Sequence, residues 1–152
     1  MQKITPFLWF DGNAEEAMNF YVSVFKNSKA GKVQRAGADG PVFSVTFNLD
    51  GQEFYAMNAG PMFKFNEAVS FFVNCNDQDE VDYYWNKLTS DGGEESRCGW
   101  LKDKFGLPWQ IIPEALGEYL GSSDQAAAGR AMQAMMQMKK IDVAKLKEAH
   151  DG

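Results

Sequence analysis

The chain has a single histidine, His150, two residues from the end of the sequence. Catalytic transition-metal centres need imidazole and carboxylate donors converging on one point, so this scarcity argues against one. Cysteine is also sparse. Cys75 and Cys98 form no CxxC pair, and no cationic start feeds an apolar core, because Lys3-Ile-Thr-Pro-Phe runs straight into Asp11-Gly. The expectation is two free thiols in a reducing cytoplasm. No stretch approaches the roughly 20 apolar residues that cross a bilayer. Basic residues number 15 against 21 acidic ones, for a net charge of −6 and a pI near 4.8. That balance excludes wholesale electrostatic binding to nucleic acid or to acidic membranes. A Walker-type phosphate loop and a Ser-His-Asp order are absent as well. The strand–helix junctions Phe10-Asp-Gly-Asn-Ala and Cys75-Asn-Asp-Gln-Asp lack the glycines of a nucleotide-type cofactor turn.

What the chain does have is aromatic residues, at 14%, and an internal repeat. Asn13-Ala-Glu-Glu-Ala-Met-Asn-Phe-Tyr-Val recurs in outline as Asn76-Asp-Gln-Asp-Glu-Val-Asp-Tyr-Tyr-Trp, 63 residues later. Each copy follows an aromatic strand-like run, Phe7-Leu-Trp-Phe10 and Phe71-Phe-Val73. A duplicated strand–helix unit limits the fold and predicts a cavity between the copies. At 152 residues the chain is read as one domain, with module one over about 1–61, module two over about 66–113 and a helical tail over about 114–150.

The first module reads β-α-β-β-β. A strand over Lys3–Phe10 ends at Asp11-Gly12. Asn13 then caps a helix, with Glu16 three residues later in a capping-box-like pair. Met18, Tyr21, Val22 and Phe25 form an apolar stripe at i, i+3, i+4 and i+7. Strands follow over Lys32–Ala36, Val42–Leu49 and Gln52–Asn58, the last two joined by the hairpin signal Asp50-Gly51. The second module repeats the order: a strand over Ala68–Cys75, a helix over Asp77–Ser90 with the stripe Val81, Tyr84, Trp85 and Leu88, then strands near Glu95–Cys98, Gly99–Lys102 and Leu107–Ile112. The tail carries a short helix over Glu114–Leu120 and a longer one capped by Ser122-Ser123-Asp124. A third helix, capped by Asp142, carries Val143 and Leu146. Ala128, Met132, Met135 and Met138 mark the apolar side of the longer helix. Such a stripe is either core filler or an adaptable contact surface with a second subunit.

Ile4-Thr-Pro-Phe-Leu-Trp-Phe-Asp-Gly-Asn-Ala-Glu-Glu-Ala, Phe63-Lys-Phe-Asn-Glu-Ala, Cys98-Gly-Trp-Leu-Lys-Asp and Phe105-Gly-Leu-Pro-Trp-Gln, together with the Asp103-Lys-Phe-Gly106 turn, resemble the glyoxalase/bleomycin-resistance/dioxygenase superfamily, also called vicinal oxygen chelate. Within it they are similar to the PhnB-like branch, labelled 3-demethylubiquinone-9 3-methyltransferase-like. The resemblance implies an α+β fold of tandem βαβββ modules forming a curved mixed sheet or half-barrel, with a C-terminal helical extension. It also implies a homodimer. Superfamily enzymes hold a divalent metal with His and Glu side chains from the first, fourth, fifth and eighth strands. At those places this sequence offers Thr5, Phe7 and Trp9; Phe54, Ala56 and Asn58; Ser70, Phe72 and Asn74; and Pro108, Gln110 and Ile112. None is a usual ligand, so no metal and no cofactor are expected.

In place of a metal site the sequence suggests an aromatic one. Phe7, Trp9, Phe54, Phe72, Trp100 and Trp109 are candidates for a cavity or its rim, with Asn58, Ser70 and Gln110 as polar fixtures, unless they serve only as barrel core. Cys98, next to Gly99-Trp100, is the one intrinsically reactive side chain near that site. It lacks a histidine partner and is expected on a strand among packing residues. The leading expectation is a metal-free protein that binds a small apolar or aromatic molecule. The alternatives are an enzyme of the same superfamily without metal, working through Cys98 or a bound cofactor, and an interaction protein acting through the helical tail. A methyltransferase activity finds no support in the junction glycines.

Overall fold

The two copies of the repeat build two four-stranded sheets of the same order. The computed structural model describes residues 2–152 and resolves into two compact units, one ending at Lys64 and the other beginning at Phe65. In the first unit β1 (Phe7–Phe10) is followed by α1 (Ala14–Val24), β2 (Lys29–Arg35), β3 (Val42–Leu49) and β4 (Gln52–Asn58). The sheet order is β1-β4-β3-β2, with β1 parallel to β4 and the other pairs antiparallel. In the second unit β5 (Phe71–Cys75), α2 (Gln78–Leu88), β6 (Glu94–Glu95), β7 (Trp100–Lys102) and β8 (Pro108–Pro113) give β5-β8-β7-β6 with the same pairing senses. The α+β reading of tandem βαβββ modules holds.

One face of each sheet carries its helix. Alternation along β3 puts Val45, Phe47 and Leu49 on the helix side of the first sheet, and Phe54 and Ala56 of β4 join them. Phe47 and Phe54 stack with centroids 5.3 Å apart, and Tyr21 of α1 lies over Phe47 at 6.1 Å. In the second unit Val81, Trp85 and Leu88 of α2 are buried, as are Leu101, Trp109 and Ile111 of the sheet. The buried helix positions Ala17, Tyr21 and Val24 correspond to Val81, Trp85 and Leu88 at an offset of 64 residues, not 63. Tyr84, expected on the buried stripe, therefore sits half-buried at the flank, edge-on to Tyr83.

Local chemistry sets the turns. Asp50 and Gly51 both have positive φ, the backbone that a two-residue hairpin demands, and Asn48 Oδ1 accepts the Gly51 N–H. Asp77 caps α2, its Oδ1 accepting from Glu80 N at 3.0 Å. Asn13 makes no such bond to α1. Instead Asn58 Oδ1, from β4, accepts the Ala14 N–H at 2.9 Å. Cys98 is not on a strand. Its φ of 58° and that of Gly99, 85°, form a turn closed by Trp100 N donating to Arg97 O, so β6 is only two residues long.

The tail folds onto the second module. α3 (Glu114–Leu120), α4 (Gln125–Met135) and α5 (Val143–Asp151) surround Leu116, Ile141 and Leu146, with Met135 and Met138 packed against them. Gln78, in the first turn of α2, donates to Ile141 O at 3.0 Å and accepts from Val143 N at 2.7 Å. The turn residues Cys98 and Gly99 donate to Met138 O and Lys139 O, both at 2.8 Å.

Candidate functional site

The sheet faces turned away from α1 and α2 are the places to look for chemistry; that of the second sheet is covered at its Ile112 end by the tail cluster of Leu116, Ile141 and Leu146. In the first unit the register pairs Phe7 with Tyr55 and Trp9 with Met57, and Met57 with Ser44. Paired Cα positions share a face, so these side chains form one aromatic, hydroxyl-bearing surface. Phe7 is 58% exposed and meets Tyr55 edge-on at 5.8 Å. Trp9 donates its indole N–H to Gly60 O at 2.8 Å and meets Phe63 edge-on at 4.8 Å.

In the second unit Phe72, Gln110 and Trp100 are paired in one row across β5, β8 and β7. Phe72 is 52% exposed, while Trp100 and Gln110 are half-buried. Gln110 Nε2 donates to Ser70 Oγ at 3.0 Å, which fixes the amide between the two aromatic side chains. One step along β7, on the same face, stands Lys102, which is ion-paired with Glu67 of the segment before β5. The hydrogen bond to Lys102 holds the Glu67 carboxyl below its ordinary range, and the same bond raises the Lys102 ammonium. Glu94, the Cα partner of Lys102, lies on that face too.

Seven of the nine residues expected to bind a ligand can be compared with these faces. Phe7 and Trp9 share the open face of the first sheet, and Ser70, Phe72, Trp100 and Gln110 gather on that of the second. Phe54 does not join them. A one-residue difference in the face assigned to β4 puts Phe54 in the core against Phe47, and Tyr55 and Met57 take the open positions. Trp109, also suggested for the cavity, is buried on the helix side of its sheet.

The remaining two have structural settings. Asn58 caps α1 and donates to Val42 O at 3.1 Å, so both ends of its amide serve the backbone; it borders a cleft of about 530 Å³ with Asn13, Glu16 and Phe43. Cys98 occupies its turn half-buried. Burial, aided by the Glu80 and Asp77 carboxylates, pushes the other thiol, Cys75, up to about 12.

Sequence reading missed Tyr55, Met57, Lys102 and Glu67 as members of these faces. Alternation along β4 and β7 could have found the first three. Glu67 lies outside any strand, and no local pattern announces where it reaches. The structure also shows what Asp103 does in the Asp103-Lys-Phe-Gly106 turn. It is buried and accepts from Phe105 N, Leu107 N and Trp109 Nε1 at 2.9–3.1 Å, so it is a structural carboxylate.

The divalent metal that the resemblance implies does not fit the residues present. The open faces offer Phe7, Trp9, Tyr55 and Met57 from β1 and β4, and Phe72, Asn74, Gln110 and Ile112 from β5 and β8, with Glu53 at the start of β4. Among the described residues no group of three or more His, Cys, Asp or Glu side chains is arranged to hold a metal ion. None of the helices described is long and apolar enough to cross a membrane.

The family model described as 3-demethylubiquinone-9 3-methyltransferase matches residues 2–112, which is both modules without the helical tail. A PhnB protein from Bacillus cereus carrying the same 3-demethylubiquinone-9 3-methyltransferase label is 37% identical. The match covers 74% of this chain and 99% of that one, with a TM-score of 0.68. A Pseudomonas aeruginosa protein shares the fold at 20% identity, over 75% of this chain and 98% of its own, with a TM-score of 0.61. The fosfomycin resistance protein FosX from Listeria monocytogenes, solved with Mn(II) and sulfate, shares the fold at 14% identity, over 80% and 98% of the two chains, with a TM-score of 0.56. Comparison with curated proteins found no match. Matched over most of its length by the family model and by the Bacillus cereus protein, the chain belongs to the 3-demethylubiquinone-9 3-methyltransferase-like (PhnB) family of the glyoxalase/bleomycin-resistance superfamily.

Proposed function

We propose that this protein binds a small, planar aromatic or apolar molecule on the open face of its second sheet, without a metal. The observation that carries this reading is the row Phe72, Gln110 and Trp100. Two large aromatic side chains flank an amide already held by Ser70, and Phe72 is left 52% exposed. Apolar surface costs free energy in water, about 25 cal/mol per Å², and a flat ligand laid over these rings recovers part of it. The amide supplies the polar fixture that orients such a ligand. The methyl-transfer label carried by the Bacillus cereus relative is not adopted here, because the junctions before α1 and α2 hold one glycine and none, respectively. Tryptophan fluorescence titrated with 2-naphthylmethanol tests the reading. Saturable quenching that is lost in Phe72→Ala and kept in Phe7→Ala supports it. A response unaffected by Phe72→Ala overturns it.

The same reading includes a cytoplasmic homodimer. Its support is Met132 of α4 and Met136 just past the end of that helix, which are 40% and 49% exposed in the tail beyond the residues the family model matches. Light scattering at micromolar concentrations should give twice the chain mass, and Met132→Lys with Met136→Lys should lower it. A monomer in the unaltered protein removes the dimer.

A further inference from the structure

The polar end of the second open face is chemically more specific than an aromatic surface alone. Trp100 and Lys102 are two residues apart on β7 and so on the same side of the sheet, about 7 Å from one another along the strand. Among the residues that the registers put on this face, Lys102 is the one cation, and its neighbour across the pair with β6 is Glu94. Its ammonium already holds a carboxylate, that of Glu67, contributed by the irregular segment before β5. Glu67 stays 59% exposed while making that contact. An exposed ion pair is weak and exchanges readily, so a carboxylate is docked at this spot without being locked there.

We propose that the ligand is an aromatic carboxylate, its ring laid over Phe72 and Trp100 and its carboxylate taking the place of Glu67 on Lys102. This rests on the reading of that face as the binding surface and adds the ligand's charge to it. The exchange conserves charge, since one carboxylate leaves the ammonium as another arrives. Glu94 gives the exchange its direction: with a second carboxylate beside Lys102, an incoming acid displaces Glu67 and does not add to it. Glu67 thus acts as an internal competitor that a neutral ligand never meets.

Three probes of one ring system separate the cases: 2-naphthoate, 2-naphthylmethanol and 2-naphthylmethylamine, titrated by tryptophan fluorescence at low salt. The acid should bind about threefold more tightly than the alcohol, because it gains one exposed ion pair on Lys102 while displacing another. Lys102→Met should erase that margin and leave the alcohol unchanged. Glu67→Gln should tighten the acid about threefold and again leave the alcohol unchanged. Both substitutions remove one exposed ion pair, so the melting temperature should move only slightly, and an unaltered far-UV circular dichroism spectrum shows that the fold is intact. Equal binding of acid and alcohol, or tighter binding of the amine, overturns the carboxylate while leaving the aromatic face standing. An acid preference that survives Lys102→Met overturns the assignment to Lys102. Binding of none of the three overturns both readings together.

Discussion

Asp103 shows how one buried carboxylate shapes a turn. It accepts two backbone N–H groups and the Trp109 indole, and the loop from Asp103 to Leu107 is closed further by Gly106 N donating to Asp103 O. Removing the acceptor strands three buried or half-buried donors, so Asp103→Ala should cost about 2–4 kcal/mol in urea unfolding. A loss under 1 kcal/mol would mean that water satisfies those donors. The two thiols should separate by reactivity. Cys75 is buried with its thiol pushed up to about 12, so iodoacetamide at pH 8 should modify Cys98 well before Cys75. Cys98 also holds a left-handed backbone, which costs an L-residue roughly 1 kcal/mol that glycine avoids. Cys98→Gly should therefore retain full stability, and Cys98→Val should lose it. Stability retained in the valine variant would show that the turn relaxes.

At the scale of elements, the methionines of the tail divide by the direction in which they pack. Met135 lies against Leu116, Ile141 and Leu146, whereas Met136, the next residue, is 49% exposed. A lysine at 135 would put a charge into that cluster and should cost about 2–4 kcal/mol, while a lysine at 136 should leave monomer stability within about 0.5 kcal/mol. Equal losses would show that the tail does not pack as one core. The sequence pattern announced α3, α4 and α5 because caps such as Asp124 and Asp142 and spaced apolar residues are local signals, as were β3 and β4 around Asp50-Gly51. β6 was not legible: Glu95 to Cys98 reads as extended, but the positive φ of Cys98 and its bond to Met138 O are settled by contact with the tail. The face of β4 was missed for a related reason. Gln52 to Asn58 alternates acceptably in either sense, and only the pairing with Phe47 decides that Phe54 turns inward. All three residues of the row were candidates in the sequence, Phe72 and Gln110 from alternation along their strands and Trp100 as an aromatic residue next to Cys98-Gly99. Glu67 on Lys102 could not be read there, since nothing local ties an irregular segment to a strand more than thirty residues away.

For the whole molecule, charge sets the pH range of stability. Glu67, Asp82 and Asp151 are held below their ordinary range by Lys102, Lys140 and Lys147. A depressed carboxyl contributes stability above its unfolded pKa that disappears as pH falls through the folded one. Lys102 and Lys147 are raised, so their contribution is complete below about 10.5 and is lost only at higher pH. The melting temperature should thus be level through neutral pH and fall below about pH 4, modestly and less so in high salt, because these groups are exposed. A maximum near the pI of 4.8 would contradict that. Metal dependence is a whole-molecule property that the donor set on these strands puts to the test. A divalent site of the kind its enzymes use takes about three or four protein ligands from neighbouring strands. Here β1, β4, β5 and β8 turn aromatic, amide and thioether groups to their open faces, and the carboxylates nearest in sequence, Glu53 and Glu67, stand at a strand start and on Lys102. A weak donor set gives a weak site, and only a ligand that binds the native state raises its melting temperature. Protein prepared without an affinity tag should contain less than about one-tenth equivalent of Mn, Fe, Co, Ni or Zn, and neither chelator nor those ions should shift its melting. A stoichiometric metal whose removal lowers the melting temperature would return the chain to the oxygen-chelate enzymes, with Glu53 as the first residue to replace.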